Sequence, residues 1–149
     1  MTLTSTLANA ESGLYDVIRA EPALAGVPVS LGDPGSGVRP EHVWIAEEAT
    51  AEQVSDLSSQ DFPVGGREET FELSVRVLAT RSGDDYRALR DRAATLAAGV
   101  ETAVREHRTL GGAVEDSEVV RLERETGATE AGRGILTTVV VRARSWLGA

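Results

Sequence analysis

The chain has 149 residues, the length of one ordinary domain, and 41% of them are hydrophobic, which is enough to build a core. It contains no cysteine, which excludes disulfides, thiolate metal sites and cysteine nucleophiles. The formal net charge of −9 disfavours binding to nucleic-acid backbones, because repulsion replaces counterion release. There is no signal-peptide pattern and no apolar run near the roughly 20 residues that span a bilayer. We therefore expect one soluble domain, residues 1–149, with no membrane partner.

The first predicted element is a helix over residues 4–21. Apolar side chains recur there at helical spacing, and Pro22 ends the pattern. Gly13 lies in the middle and is expected to weaken the helix by roughly 1 kcal/mol relative to alanine. Packing against other elements must therefore hold this helix in place.

Two short strands follow the first helix. Residues 27–31 alternate in polarity, and Pro28 among them indicates either an edge strand or a strand that starts late, because proline has no amide donor. A glycine-rich loop at residues 32–37 leads to a second strand at residues 42–46. Residues 47–66 show no clear period, so we expect an extended, exposed connection there, with a helical turn at residues 51–57 as the alternative.

The clearest pattern lies in the second half of the chain. Residues 67–80 alternate strictly between apolar and polar, which is typical of a half-buried antiparallel strand. An amphipathic helix pattern covers residues 84–107, and its first aspartate is a good N-cap. Two more strands are predicted at residues 119–124 and 135–141, joined by a turn over residues 127–134. The last strand is apolar on both faces, which indicates a place in the middle of the sheet or a covering on one side.

Together these elements predict an α+β fold with the order α-β-β-β-α-β-β. Runs of strands joined by short turns favour a mainly antiparallel sheet of about four to five strands. The two amphipathic helices are expected to pack on one face of this sheet. The sequence indicates no internal repeat and no second domain.

No residue pattern in the chain indicates an active site. The loop at residues 32–37 lacks the spacing and the lysine of a phosphate-binding loop. His42 and His107 have no partner at metal-ligand spacing. We expect His42 on a strand face near the surface, and His107 at a helix end, where its side chain suits the negative C-terminus.

Two acidic pairs are the remaining candidates for acid–base chemistry. They are Glu68 with Glu69 and Glu115 with Asp116. Adjacent strand residues point to opposite faces, so these carboxylates are expected to be solvated or interfacial rather than convergent in a cleft. We therefore predict no enzymatic activity, and no catalytic, cofactor-binding or metal-binding residue.

Surface residues are instead the candidates for contacts between subunits. Arg121 and Arg124 lie on a strand of mixed charge, which is either an ordinary soluble surface or a charged rim for subunit contacts, where arginine is enriched. Trp146 either caps the core or anchors an interface. The loop at residues 33–39 and the connection at residues 50–66 are long and exposed enough to reach a neighbour. The candidate interface residues are therefore Asp33, Arg39, Phe62, Arg121, Arg124, Arg142 and Trp146.

The order of these elements resembles that of bacteriophage tail terminator proteins, also called tail completion or minor tail U-like proteins. The resemblance covers nearly the whole chain and lies in pattern and order, since no short segment is diagnostic alone. The long helix followed by the Leu110-Gly111-Gly112 turn and a strand hairpin is the most suggestive part. The segments that carry the resemblance are the N-terminal helix and residues 27–34, 42–45, 69–77, 85–93, 108–114 and 139–147.

This resemblance implies a structural role in a virion assembled in the host cytoplasm. Such proteins form a hexameric ring at the head-proximal end of a phage tail, where the ring ends growth of the tail tube and offers a surface for head–tail joining. The implied partners are other copies of the chain, the tail tube protein and a head–tail connector or adaptor protein. DNA is expected to pass through the ring lumen without specific binding, and no cofactor is implied.

Other functions remain open from the sequence. The chain resembles neighbouring proteins of the head-to-tail path as well, so a connector, an adaptor or a tail-tube-like subunit is the first alternative. A prophage or a gene transfer particle is an equally good source as a phage. A small cytosolic enzyme or ligand-binding α+β domain is the remaining alternative, and it predicts a concave pocket with convergent polar groups.

Overall fold

The computed structural model describes residues 5–55, 67–129 and 132–147. Within these ranges, two helices and five strands follow the predicted order, with short 3-10 turns at Pro22–Leu24 and Gly35–Gly37 on either side of the first strand. In chain order the elements are α1 (Leu7–Arg19), β1 (Val29–Leu31), β2 (Glu41–Ser55), β3 (Arg67–Arg81), α2 (Tyr86–Glu106), β4 (Asp116–Thr129) and β5 (Gly132–Leu147).

The strands form one sheet with the order β1-β2-β3-β5-β4. β1 runs parallel to β2, and the other neighbouring pairs are antiparallel. β1 is an edge strand, as Pro28 beside it predicts, and the doubly apolar β5 lies between β3 and β4. The predicted α+β class with a mainly antiparallel sheet is therefore confirmed.

Both helices cover the same face of the sheet. The alternation of β3 turns every odd-numbered side chain from Phe71 to Ala79 towards the helices, and each is at most 1% exposed. The four larger ones, Phe71 to Val77, contribute about 1.5–3 kcal/mol of burial free energy each, and Ala79 less. Apolar residues of the neighbouring strands and of both helices complete this core: Leu14, Ile18, Val43, Ile45, Leu96, Val100, Val139 and Val141.

The opposite face of the sheet has no helix against it in the described part of the chain, and we call it the helix-free face. On β3 the helix-free face carries half-exposed side chains: Glu72, Ser74, Arg76, Leu78 and Thr80.

The parallel strands β1 and β2 need a crossover connection, and residues 32–40 supply it.

The second strand is much longer than its sequence pattern indicates. β2 continues to Ser55, so residues 47–55 are strand and not an irregular connection. Between Ile45 and Ala49 the register shifts, because β2 advances from one to the other while β3 moves only from Val75 to Leu73. Such a bulge breaks the two-residue period, so the alternation in the sequence does not reveal that the strand continues.

The predicted turn at residues 127–134 is also mostly strand. β4 reaches Thr129 and β5 begins at Gly132. Gly127 and Gly134 form a cross-strand pair within the hairpin. The glycines that suggested a long turn therefore lie opposite each other in the ladder.

The ends of α2 are capped by side chain and backbone. Asp85, and not the predicted Asp84, is the N-cap, and its Oδ1 accepts a hydrogen bond from the Ala88 amide at 3.0 Å. His107 is the C-cap, so its predicted place at a helix end is confirmed. The helix is therefore two residues shorter at its start than the pattern from residue 84 indicates.

Gly13 is required by a close backbone contact. It lies within α1, which runs over Leu7–Arg19 rather than over residues 4–21. A Cβ atom on Gly13 would lie 2.2 Å from the carbonyl oxygen of Leu110, in the turn that follows α2. The absence of a side chain therefore lets α1 pack directly on that turn.

Replacing Gly13 by alanine is expected to lower the free energy of unfolding by about 1–3 kcal/mol, because the turn must shift to admit the methyl group. Helix propensity alone predicts the opposite sign, a gain of about 1 kcal/mol. Chemical denaturation measures the difference. Gly37→Ala is the control, since a Cβ there meets nothing within 4 Å. A Gly13→Ala protein as stable as the parent would contradict the close contact.

Candidate functional site

Two of the candidate interface arginines meet on the helix-free face. Arg142 Nη2 lies 3.4 Å from Glu72 Oε2, and Arg121 Nη2 lies 3.9 Å from Glu72 Oε1. Arg121 Nε also donates to Glu123 Oε1 at 2.9 Å. These four side chains, the Glu72 cluster, connect β3, β5 and β4. They are 34–60% exposed, so the ion pairs contribute little to stability and remain available at the surface.

Arg124 belongs to a different surface from Arg121. It pairs in register with Thr137, whose side chain points to the helix side, whereas Arg121 pairs with Val140 on the helix-free face. The two arginines therefore lie on opposite faces of the edge strand β4. Arg124 lines an open groove of about 320 Å³ between α2 and β4, the α2–β4 groove. Its other lining residues include Arg90, Ala94, Ala98, Glu101 and Leu122.

Asp33 and Arg39 lie in the connection between β1 and β2. Asp33 Oδ1 accepts a hydrogen bond from the Gly35 amide at 2.8 Å, which shapes the start of the loop. The Arg39 amide donates to His42 Nδ1 at 3.0 Å, which fixes the end of the loop to β2. Every residue from 35 to 40 is exposed, as expected for this connection.

His42 is buried beneath this connection, and the expectation of a histidine near the surface is wrong. Its side chain is on the helix-free face but only 4% exposed. Nδ1 accepts the Arg39 amide, so that nitrogen carries no proton, and Nε2 lies 2.7 Å from Ser30 Oγ. Burial, and then the charge of Arg39, lower the pKa of His42 below its usual 6.5. The neutral ring therefore ties the crossover to β1 and β2.

The two aromatic candidates have different outcomes. Trp146 is half-buried near the end of β5, opposite Glu68 of β3 on the helix-free face. It does not belong to the core between the sheet and the helices. Phe62 lies outside the described residues.

Glu69 is fully buried, which overturns the expectation of a solvated or interfacial carboxylate. Its Oε1 accepts the Thr6 amide at 2.8 Å and the Thr6 hydroxyl at 3.1 Å, and its Oε2 accepts the Gln53 amide group at 2.8 Å. Burial raises the pKa of Glu69, but the hydrogen bonds from Thr6, Gln53 and Ser5 outweigh it, so the pKa is lower than 4.5. A carboxylate here also suits the positive N-terminus of α1.

One sequence signal pointed to this burial. Glu69 occupies the same side of β3 as Phe71 and Leu73, and it is therefore a charged residue at a core-facing position. A buried charge is retained only where hydrogen bonds satisfy it. Its partners come from α1 and β2, so the carboxylate holds the start of the first helix to the sheet.

We expect Glu69→Gln to lower the free energy of unfolding by about 1–3 kcal/mol at neutral pH, because its amide group would face donors that now need an acceptor. The low carboxylate pKa stabilises the fold above pH 4.5, and this contribution is lost as the pH falls through the folded-state value. The variant should therefore also lose part of its acid sensitivity, measured by denaturation at several pH values. The exposed neighbour Glu68→Gln is the control, and equal behaviour of the two variants would contradict this role.

The second acidic pair lies at the surface, as expected. Glu115 is exposed, and Asp116 accepts two hydrogen bonds from the Arg108 guanidinium, at 2.7 and 2.8 Å. This partner lowers the pKa of Asp116. Its carboxylate is therefore held as a charged partner of Arg108 and not as an acid poised to give up a proton.

Two features that often mark a catalytic site, metal-ligand clusters and buried polar groups without a partner, are absent from the described ranges. No group of three His, Asp or Glu side chains in them is placed to hold a metal ion. Every buried side-chain nitrogen or oxygen described has a hydrogen-bond partner, so none is left aimed into a cavity. Neither helix is long and apolar enough to cross a membrane. His42 and Glu69, the buried groups with lowered pKa values, serve the packing of the fold.

The fold is shared with one chain of a solved structure described as the virion of a native gene transfer agent (GTA) particle. The match has a TM-score of 0.57 and 17% sequence identity, and it covers 95% of this chain and 98% of that chain. At this identity the likeness establishes the common fold alone. No protein-family model matches the sequence, and no curated protein matches it significantly.

Proposed function

We propose that the chain is a structural protein of a virion, from a phage or a phage-derived particle. The observation that carries this proposal is the fold shared, over 95% of this chain, with a chain from the virion of a gene transfer agent particle. Because the match covers both chains almost completely, it concerns the whole fold and not one common motif. Within the virion we assign it the tail terminator role: a ring at the head-proximal end that ends tail-tube polymerisation and provides the surface for head–tail joining.

Ring formation is supported by the two different edges of the sheet. β4 forms one edge, and β1 with the free side of β2 beyond Ile45 forms the other. A closed ring repeats one contact in which two different patches meet. A homo-oligomeric ring, which the resemblance makes hexameric, can therefore form from these edges and leave its two rims for the tail tube protein and the head–tail connector.

The charge balance of the helix-free face supports its assignment to the lumen. By register and alternation, acidic residues outnumber arginines on this face. A surplus of negative charge lets DNA pass without binding, since phosphates are repelled. The acidic residues are Glu52, Glu68, Glu72, Asp116, Glu118, Glu123 and Glu125, and the arginines are Arg76, Arg121, Arg142 and Arg144.

A role without catalysis fits the same observations. His42 and Glu69 are the described buried groups with shifted pKa values, and internal hydrogen bonds satisfy both. Neither lines a cleft in which a substrate is held next to a second reactive group. The proposed work of the molecule is therefore done by its surfaces.

Removing the gene for this chain from particle-producing cells tests the role. A terminator predicts tails of uncontrolled length and heads without tails, because nothing stops the tube or joins it to the head. Electron microscopy of the particles and measurement of tail length give the result. Restoring the gene on a plasmid is the control.

The same experiment separates the alternative roles. A connector or adaptor predicts tails of normal length that fail to join heads, and a tube-like subunit predicts that tails are missing. Normal particles that lack this chain would refute a structural role in the virion altogether.

Reversing charge on the helix-free face is expected to hinder DNA passage. The change is Glu123→Arg with Glu125→Arg, two exposed positions on β4. Arginines in the lumen would bind the passing phosphates, so DNA delivery per particle should fall at low salt and recover as salt rises. Delivery is measured by transfer of a marker gene at several salt concentrations, with particle numbers held equal.

A matched control makes the same change of net charge on the helix side. Asp16→Arg with Glu106→Arg alters two exposed helix positions, which lie outside the lumen in this arrangement. Delivery by these particles should match that of the parent. An equal loss in both variants would show that net charge, and not the face that carries it, controls passage.

A further inference from the structure

Two exposed leucines mark opposite edges of the sheet. Leu31 is 54% exposed at the end of β1, and Leu122 is 53% exposed in β4. Their register partners, Ile45 and Val139, both belong to the core beneath the helices. Both leucines therefore point to the helix side, one at each edge. A single exposed leucine needs no explanation, whereas an exposed apolar patch indicates a contact surface, so the surroundings of each leucine must be considered.

At the β4 edge, Leu122 forms one wall of the α2–β4 groove. The groove is floored by small side chains of α2, including Ala94 and Ala98, so it is concave and apolar. Arg124 lies on its rim and makes no ion pair with any described residue. Glu101 also lines the groove and makes no ion pair with any described residue, whereas Arg90 is paired with Asp91. This edge therefore offers an apolar recess whose lining carries two arginines and one glutamate.

At the opposite edge, Leu31 projects beside an unpaired negative charge. Glu47 Oε1 lies 3.2 Å from the position that a Cβ atom on Gly32 would occupy, next to Leu31 in the chain. Glu47 is exposed and forms no ion pair within the described ranges. This edge therefore offers an apolar side chain beside a carboxylate, the complement of the other edge.

We propose that Leu31 of one copy docks in the α2–β4 groove of the next copy, with Glu47 beside Arg124. The inference rests on the self-assembly in the proposed function and names the residues that perform it. The sheet topology is compatible with this contact, because β1 and β4 run in opposite directions. When two copies lie side by side in the same orientation, β1 of one copy therefore meets β4 of the next as an antiparallel neighbour. The two patches differ, so each copy uses both, and the contact repeats around a ring.

Cysteine cross-linking tests this contact, since the natural chain has no cysteine. Leu31→Cys and Leu122→Cys are made in separate proteins, mixed at millimolar concentration and treated with a short thiol-specific cross-linker. The mixture should give a covalent dimer that contains one of each chain, and neither protein should dimerise alone. The double variant should give a ladder of covalent oligomers on a denaturing gel, both in solution and in assembled particles.

Val38→Cys is the matched control, because Val38 is 40% exposed but lies next to Arg39, which is bound to His42 on the helix-free face. It should not cross-link to Leu122→Cys. Three results would each overturn the docking. They are cross-linking through Val38 in preference to Leu31, dimers formed by a single variant alone, and the absence of a Leu31–Leu122 cross-link both in solution and in particles. If the chain is found in tails but Leu31 and Leu122 do not cross-link, the docking fails and the proposed function stands. If the chain is absent from particles, the proposed function fails.

Discussion

The alternation of β3 is the constraint on which the rest of the structure depends. Its odd-numbered side chains from Phe71 to Ala79 must be covered, and both helices lie on that side to cover them. Its even-numbered side chains from Glu72 to Thr80 are half-exposed, and all but Leu78 are polar, so this face of β3 does not require a helix to cover it. A sheet covered on one side has two faces of different chemistry, and its open edges stay available to other chains.

The parts of the fold that could be predicted from the sequence are those with an unbroken period. The sequence predicts β3 and α2 almost to their ends, because each keeps its period over its whole length. The predicted β2 is too short, because the bulge after Ile45 shifts the alternation. The predicted strands of the β4–β5 hairpin are also too short, because Gly127 and Gly134, which suggest a turn, pair within the ladder. The register of a strand is defined by its partner strand, so it cannot be predicted from the pattern of one segment alone.

The candidate site depended even more on register. Arg121 and Arg142 were both named from the sequence, but their meeting on Glu72 requires three strands in the spatial order β3-β5-β4, which differs from their order in the chain. The burial of Glu69 was readable from its place in the alternation, whereas its partners Thr6 and Gln53 were not. Polar contacts between distant segments follow from topology, and pattern alone does not give topology.

The Glu72 cluster and the exposed leucines differ in the free energy that they can contribute to a contact. Exposed ion pairs such as those of the Glu72 cluster contribute at most about 1 kcal/mol each. They therefore determine the charge of the helix-free face and add little to the affinity between chains. Burying one exposed leucine contributes about 1.5–3 kcal/mol, which is weak for a single contact between two chains. In the proposed ring each copy would use both of its edges, so the step that closes the ring would add one more contact without adding another copy. In the proposed assembly, edges this weak would leave most copies separate at low concentration, and the end of a tail tube would serve as the template that gathers them.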